Sequence, residues 1–490
     1  MRRSSLFLSL LLPFVLLCTL NSAMYRYGAS DQAFYLPSAL LNLHPDYFPR
    51  DAGLLLAQAR LTGADEIIGA IVRLTGAPMP VLFAVLYVIS LLLLATAAWL
   101  IATRLYRDMW TGVALLAALT LRHAIWRTGT NTLEGYFHPR QLAFGFGALA
   151  VAAVLRRRLL PAAAAIALAG LVHPTTAMWF AIWLAVAVAV AEPRWRMPIV
   201  GLVLIGGLIA LWMVTAGPLA GRLGRMDPEW VSTLATKDYL FPLAWPAAAW
   251  VLNLLPIAII VFVYSRRRDA GLVDRSEAGI VIGVVSLACL FAAILPFNAV
   301  GVALAVQLQP ARIFWMLDFV AIVYVVWALA EGKPARTRRA QIVAATLLGL
   351  STVRGVYLKV VEFPERPVAQ LDIRADDWGR AMSWARSTDP RSGWLADPGH
   401  AFMYGTSVRV AAARDVLVEA VKDAAIGMYD RDVAIRTRDR ISAVGDFRAL
   451  NPDRARALGR TYDLDYLIAD RAFELPLAFQ SGDLRIYRLR

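Results

Sequence analysis

Asp31 is the first residue in the chain whose type and position suit catalysis. It lies seven residues after Met24, where the chain leaves its first apolar run, within Tyr25-Arg26-Tyr27-Gly28-Ala29-Ser30-Asp31-Gln32-Ala33-Phe34-Tyr35-Leu36-Pro37. A carboxylate beside low-dielectric surroundings has its pKa raised toward neutrality, where a general base is most effective. The same position suits a helix start, with Ser30 or Asp31 as N-cap. Three other segments combine cations, imidazoles and amides at the ends of apolar runs. They are Glu134-Gly135-Tyr136-Phe137-His138-Pro139-Arg140-Gln141, preceded by Arg122, His123 and Arg127; His173-Pro174-Thr175-Thr176; and Gln307-Leu308-Gln309-Pro310-Ala311-Arg312. Preorganised donors of this kind stabilise charge that develops on a departing anion. Each arginine also has a plain reading, snorkelling to the interface, and each His-Pro is also a helix-breaking turn.

Two ionisable residues fall inside apolar runs, Asp318 six residues beyond Arg312, and Arg354. A charge at such depth is costly unless paired, so Asp318 is expected to pair with Arg312 or Arg354. Other common chemistries lack their residues: there is no Walker loop, no His-Glu-x-x-His helix and no Cys or His set at zinc spacing. Asp376-Asp377 and Asp463-x-Asp465 read as a solvated helix start and a strand edge. Cys18 and Cys289 each sit in an apolar run, which gives no disulfide framework.

The elements that must position these residues are mostly apolar helices. Of 490 residues 59% are hydrophobic and the mean hydropathy is +0.56, so lipid must be the solvent for most of the chain. The net charge of +14 is confined to the first 361 residues, because from Glu362 onward 20 basic residues balance 20 acidic ones. A nucleic-acid surface is thereby excluded: the excess collects in the breaks between apolar runs, at Arg104/Arg107, Arg156 to Arg158, Arg194/Arg196, Arg266 to Arg268 and Lys333 to Arg339.

After a first run at Leu6 to Leu20, which reads as a secretory signal peptide or a first spanning helix, spans are expected near 80–103, 109–121, 141–155, 159–172, 177–191, 199–216, 243–264, 279–296, 312–330 and 340–357, about eleven transmembrane helices in all. Strict alternation places the N-terminus and every basic cluster in the cytoplasm. It places the long loop 25–79, all five histidines (His44, His123, His138, His173, His400) and the tail outside. The expected organisation is a transmembrane domain, 1–361, and a small C-terminal α/β extracytoplasmic domain, 362–490. In that tail Asp376 to Arg386 has helical spacing and Asp465 to Ala469 reads as a strand. Gln480-Ser481-Gly482-Asp483 should join the flanking segments Leu475 to Phe479 and Leu484 to Leu489 as a hairpin. Heavy Arg, Ala and Leu usage points to a bacterial inner membrane.

This layout resembles the GT-C superfamily of membrane glycosyltransferases, with its many spans, long first outer loop carrying an acidic residue just after helix one, and soluble outer domain. The tail segments Tyr462-Asp463-Leu464-Asp465-Tyr466-Leu467-Ile468, Leu475-Pro476-Leu477 and Leu484-Arg485-Ile486-Tyr487-Arg488-Leu489 share that pattern. The resemblance implies an inverting transfer of a sugar from a polyprenyl-phosphate donor to a lipid, glycan or protein acceptor, with Asp31 as general base. His138, Arg140, His173 and Arg312 would hold the donor phosphate. Many members carry an adjacent acidic pair; here Gln32 follows Asp31, so no metal and no cofactor beyond the lipid-linked substrate is expected. The alternatives are a transporter, which would show related halves and broken mid-membrane helices, and a non-catalytic glycolipid-binding protein.

Overall fold

The computed structural model describes residues 3–332 and 336–490. Lys333, which opens an expected basic cluster, lies outside the described residues. The chain divides into two compact units, each assembled from three stretches: 1–25, 85–225 and 238–368 form the first, and 26–84, 226–237 and 369–490 the second.

The first unit is helical. Seven helices are long and apolar enough to cross a membrane: Met79–Leu105, Pro174–Ala191, Pro193–Thr215, Ala247–Asp269, Arg275–Ala299, Ala303–Ala330 and Thr337–Glu362. Four shorter apolar helices, Ser5–Asn21, Met109–Leu119, Pro139–Leu155 and Leu159–Val172, fall below the roughly 20 residues that span a bilayer core unaided. The helix Arg196–Thr215 buries none of its residues. An apolar helix exposed on every side is tolerated only in hydrocarbon, and the chain is a multi-pass membrane protein.

Helix packing uses small residues where lipid supplies no hydrophobic drive. Gly279 and Gly283 lie one turn apart on Arg275–Ala299, and a Cβ on either would stand 2.3 or 2.4 Å from the carbonyl oxygens of Ala187 or Trp183 on Pro174–Ala191. Trp183 closes the contact by donating Nε1–H to the Ile280 carbonyl at 2.9 Å. At one end of this unit Arg267, one of the basic cluster, is buried. It pairs with Glu277 at 2.6 Å, Glu277 also accepts from the Tyr324 hydroxyl at 2.9 Å, and the guanidinium lies 4.7 Å from the Trp327 ring.

The intramembrane ion pair differs from expectation. Asp318 meets neither Arg312 nor Arg354; its Oδ2 lies 3.1 Å from His123 Nε2. Six residues advance a helix by about 600°, which turns Asp318 far from the face of Arg312. Arg354 instead donates to the carbonyl oxygen and Oδ1 of Asn21, at 2.9 and 2.8 Å.

The second unit is mixed α/β. Its sheet runs Asp415–Val416, Gly393–Leu395, Tyr466–Ala469, Leu484–Arg488, Leu477–Ser481, the first three strands parallel and the last two antiparallel to their neighbours. The strand period of two sorts its core. Trp394, Ile468 and Ile486 face the helix Asp377–Arg386, while Leu395, Leu467 and Tyr487 face the helix Pro452–Tyr462. The hairpin closes over Gly482, which has φ +57°. Asp376 caps its helix by accepting from Gly379 N, and Asp463 and Asp465 bind Arg490, in keeping with the structural reading of both acidic pairs.

The long first loop belongs to this unit. It forms three helices, Gln32–Leu43, Ala52–Ala59 and Ala64–Thr75. Phe34, Tyr35, Phe48, Leu54 and Leu55 pack with Ala413, Ile426 and Val433 of the C-terminal stretch. Gly28 makes the approach possible: its φ is +80°, and a Cβ there would stand 2.9 Å from Val410 Cγ1. At the centre lies Asp51, completely buried. It accepts from Arg409 Nε at 2.7 Å, from Arg436 and from Val416 N, with Arg440 at 3.6 Å. Arg409 in turn grips Asp423 through both oxygens, at 2.6 and 3.0 Å. Burial alone would raise the Asp51 pKa, but Arg409, Arg436 and Arg440 outweigh it and hold the group at about 2.

Candidate functional site

In the first unit, His138 and His173 both stand immediately before a proline that opens a helix, Pro139–Leu155 and Pro174–Ala191. Proline at the first helical position wastes no hydrogen bond, and the imidazole supplies the cap. His138 Nδ1 accepts from Arg140 N at 3.1 Å. His173 Nδ1 accepts from Thr176 N at 3.2 Å and lies 3.0 Å from Thr176 Oγ1. The helix-turn reading of each His-Pro is therefore correct, and it has a chemical consequence. A ring whose Nδ1 accepts a backbone N–H carries its proton on Nε2, so each neutral imidazole presents an N–H donor on its far side.

Four of the expected site residues come together here. The pKa of His173 is held well below the ordinary imidazole value, first by burial and then by the charges of Arg312, His138 and Arg140. Arg140 is 3% exposed. Its Nη2 lies 3.6 Å from Glu134, which also receives Asn131 Nδ2 at 3.1 Å and has Arg122 at 4.0 Å. Arg312 enters through Gln309-Pro310, where Gln309 is buried in the left-handed region at φ +48°. Such a conformation in a non-glycine residue costs ~1–2 kcal/mol and is kept where the surroundings determine it. Gln307 accepts from Arg222 at 2.8 Å. The helix that begins at Ile313 lines, with Phe314 and Asp318, an apolar cleft of about 440 Å³ whose wall also includes His123, Trp126 and Asn253. Burial pulls the His123 imidazole down, but the Asp318 carboxylate outweighs it and the pKa rises.

Asp31 lies in the second unit. It occupies the N-cap position of Gln32–Leu43, yet its side chain makes no capping bond. Capping requires an extended backbone that swings the side chain over the first turn, whereas Asp31 is helical at φ −72°, ψ −6°. Its Oδ1 instead accepts from Lys422 Nζ at 2.7 Å, and that ammonium lies 5.5 Å from the Phe34 ring. The neighbouring Gln32 uses Oε1 to accept from Gly28 N at 2.6 Å. Among the described residues no group of three or more His, Cys, Asp or Glu is placed to hold a metal ion.

Solved structures similar to this chain include two from Archaeoglobus fulgidus. One is the Archaeoglobus fulgidus oligosaccharyltransferase in the apo form, with a TM-score of 0.48 and 11% identity over 95% of this chain and 69% of that one. The other is the oligosaccharyltransferase AglB of the same organism in complex with an inhibitory peptide and a dolichol-phosphate, with the same TM-score and identity over 94% and 69%. No protein-family model and no curated protein matches the sequence.

The remaining members of the second unit's polar cluster went unread in the sequence. Lys237 donates to the Val421 carbonyl at 2.7 Å, and Glu419 is 1% exposed. Burial and the charge of Lys422 lower the Lys237 pKa, against Asp31 and Glu419, which raise it. A signal was available: the chain has 46 arginines and only four lysines, and two of the four meet at this cluster. His400 is structural, its Nε2 accepting from Val408 N at 3.2 Å and its pKa pushed down to about 4 by burial.

Proposed function

We propose that this protein is a membrane glycosyltransferase that moves a sugar from a polyprenyl-phosphate donor to a lipid, glycan or protein acceptor on the outer membrane face. The observation that carries the reading is the convergence of His138, Arg140, His173 and Arg312 in the first unit. Two imidazole Nε2–H donors and two guanidiniums fit the oxygens of a phosphate, and a neutral His173 donates without adding charge. The apolar cleft of about 440 Å³ suits the donor's prenyl chain.

In this mechanism Asp31 takes the proton from the acceptor O–H or N–H. The freed electron pair forms the bond to the anomeric carbon, and the sugar–phosphate bond breaks with its pair going to the departing polyprenyl phosphate. A single displacement inverts the anomeric configuration. Asp31 acts in the transition state, so its loss lowers the rate, whereas the phosphate is charged before and after transfer and its ligands act in binding too. The Asp31–Lys422 pair favours a second reading, a non-catalytic protein that binds a glycolipid, because it occupies the carboxylate that the mechanism needs.

The deciding experiment uses the purified protein in liposomes with a synthetic polyprenyl-phosphate hexose, membrane lipid extract as acceptor, and EDTA. Sugar transfer that persists in EDTA and falls about 10²–10⁴-fold in Asp31→Asn, with donor binding retained, supports the enzyme. Donor binding without transfer in the wild type selects the second reading, and transfer from a soluble nucleotide sugar overturns both.

A further inference from the structure

Glu419 is buried, and neither of its carboxylate oxygens has a hydrogen-bond partner in the structure. A buried carboxyl without partners is costly and calls for a role. It occupies the N-cap position of the helix Ala420–Ile426, but its side chain makes no cap bond; the extended backbone donates its N–H to Asp423 Oδ2 at 3.0 Å. Lys422 is three residues on, at the position from which a side chain reaches back toward the N-cap. The charged groups acting on Glu419 are Asp423 and Lys422 on its own helix, Arg409 on the helix Val408–Ala411, and Lys237. Arg409 is saturated by Asp51 and Asp423. Lys422, which bonds Asp31, and Lys237, which acts on both carboxylates, are thus the cations that Asp31 and Glu419 have in common.

We propose that Glu419 is a positioning residue for Asp31, acting through Lys422: while Glu419 is neutral the ammonium stays on Asp31, and when Glu419 ionises the ammonium is shared and the Asp31 carboxylate is released for proton abstraction. The proposal rests on Asp31 being the base of the reaction above. The sign is set by burial and by Asp423, which together raise the Glu419 pKa to about 8 against the opposing charges of Arg409, Lys422 and Lys237. Glu419 is therefore neutral below that pH and charged above it. Ionisation leaves its proton with solvent and breaks no heavy-atom bond.

With four lysines in the chain, the test is direct. The full-length protein, labelled with 13C at lysine Cε, is titrated in detergent between pH 6 and 10, the Lys422 signal being assigned by its loss in Lys422→Arg. A step in the Lys422 signal near pH 8 that disappears in Glu419→Gln is the expected result. A flat signal in the wild type, or a step that survives Glu419→Gln, overturns the shared ammonium without touching the transferase reading. In the liposome assay the transfer rate should rise through the same pH, and Glu419→Gln should stay at its low-pH value throughout. A Lys422 step with a transfer rate unaffected by Glu419→Gln overturns the positioning role, and a step with no transfer at all in the wild type identifies the transferase reading as what failed.

Discussion

Around Asp51 of the second unit, three arginines close on one carboxylate that has no exposure to water, and Asp423 takes up the other side of Arg409. Around His173 of the first unit the balance is different. Arg312 and Arg140 are the guanidiniums that act on it most strongly, and Glu134 is a carboxylate set against Arg140 and Arg122. Removing one partner from a closed set of buried charges is destabilising, because the others are left desolvated and uncompensated. Under the proposed function, Arg140 and Arg312 beside His173 attract an anion that the protein itself does not supply. On that reading the contrast is between charge that holds a fold and charge arranged for a ligand, although each cluster contains a buried arginine, Arg409 in one and Arg140 in the other.

The largest effect should come from breaking the closed set. Asp51→Asn should cost the second unit about 3–5 kcal/mol, seen as a lower unfolding temperature and faster proteolysis of residues 369–490. A loss no greater than the ~1 kcal/mol of an exposed pair would erase the distinction. Because the folded Asp51 value lies below its ordinary one, the stability it contributes is fully present above 3.8 and is lost as pH falls toward about 2. Acid unfolding of this unit should sharpen in that window and soften in the variant.

A smaller effect probes the open cluster. Arg140→Ala and Arg312→Ala should each weaken binding of polyprenyl phosphate by about 1.5–3 kcal/mol, roughly ten- to a hundredfold. Arg490→Ala, which removes one partner of Asp463 and of Asp465 in the second unit, should leave that binding unchanged. Equal losses in all three would mean that bulk positive charge attracts the lipid, with no built site. The smallest effect concerns His123, whose raised pKa depends on Asp318. Asp318→Asn should lower it, as read from the imidazole NMR signals. The pairing contributes stability below the ordinary value of 6.5 and loses it as pH rises through the raised one.

Local sequence determined a good deal of this. The helices near 80–103, 159–172 and 312–330 form within a few residues of where the apolar runs begin and end, because in hydrocarbon a backbone can satisfy itself only as a helix. The tail's helix at Asp377–Arg386 and its hairpin over Gly482 follow from local periodicity and turn chemistry. The imidazole caps also follow from the His-Pro dipeptides, since proline starts the helix and the preceding side chain is left over its first turn.

Partnerships between distant residues were decided only in three dimensions. That Asp31 meets Lys422 rather than capping its own helix depends on the first loop packing against a segment nearly four hundred residues away, and no local preference encodes such a contact. Asp318 was expected to take a nearby arginine; the helical turn carried it instead to His123. Burial of Glu419 is likewise a property of what surrounds it, and the charge of that carboxyl depends on the fold. Hydrophobic period and chain-breaking residues act over a few neighbours and can be read in order, whereas the charge state of a buried group is set by every element that closes over it.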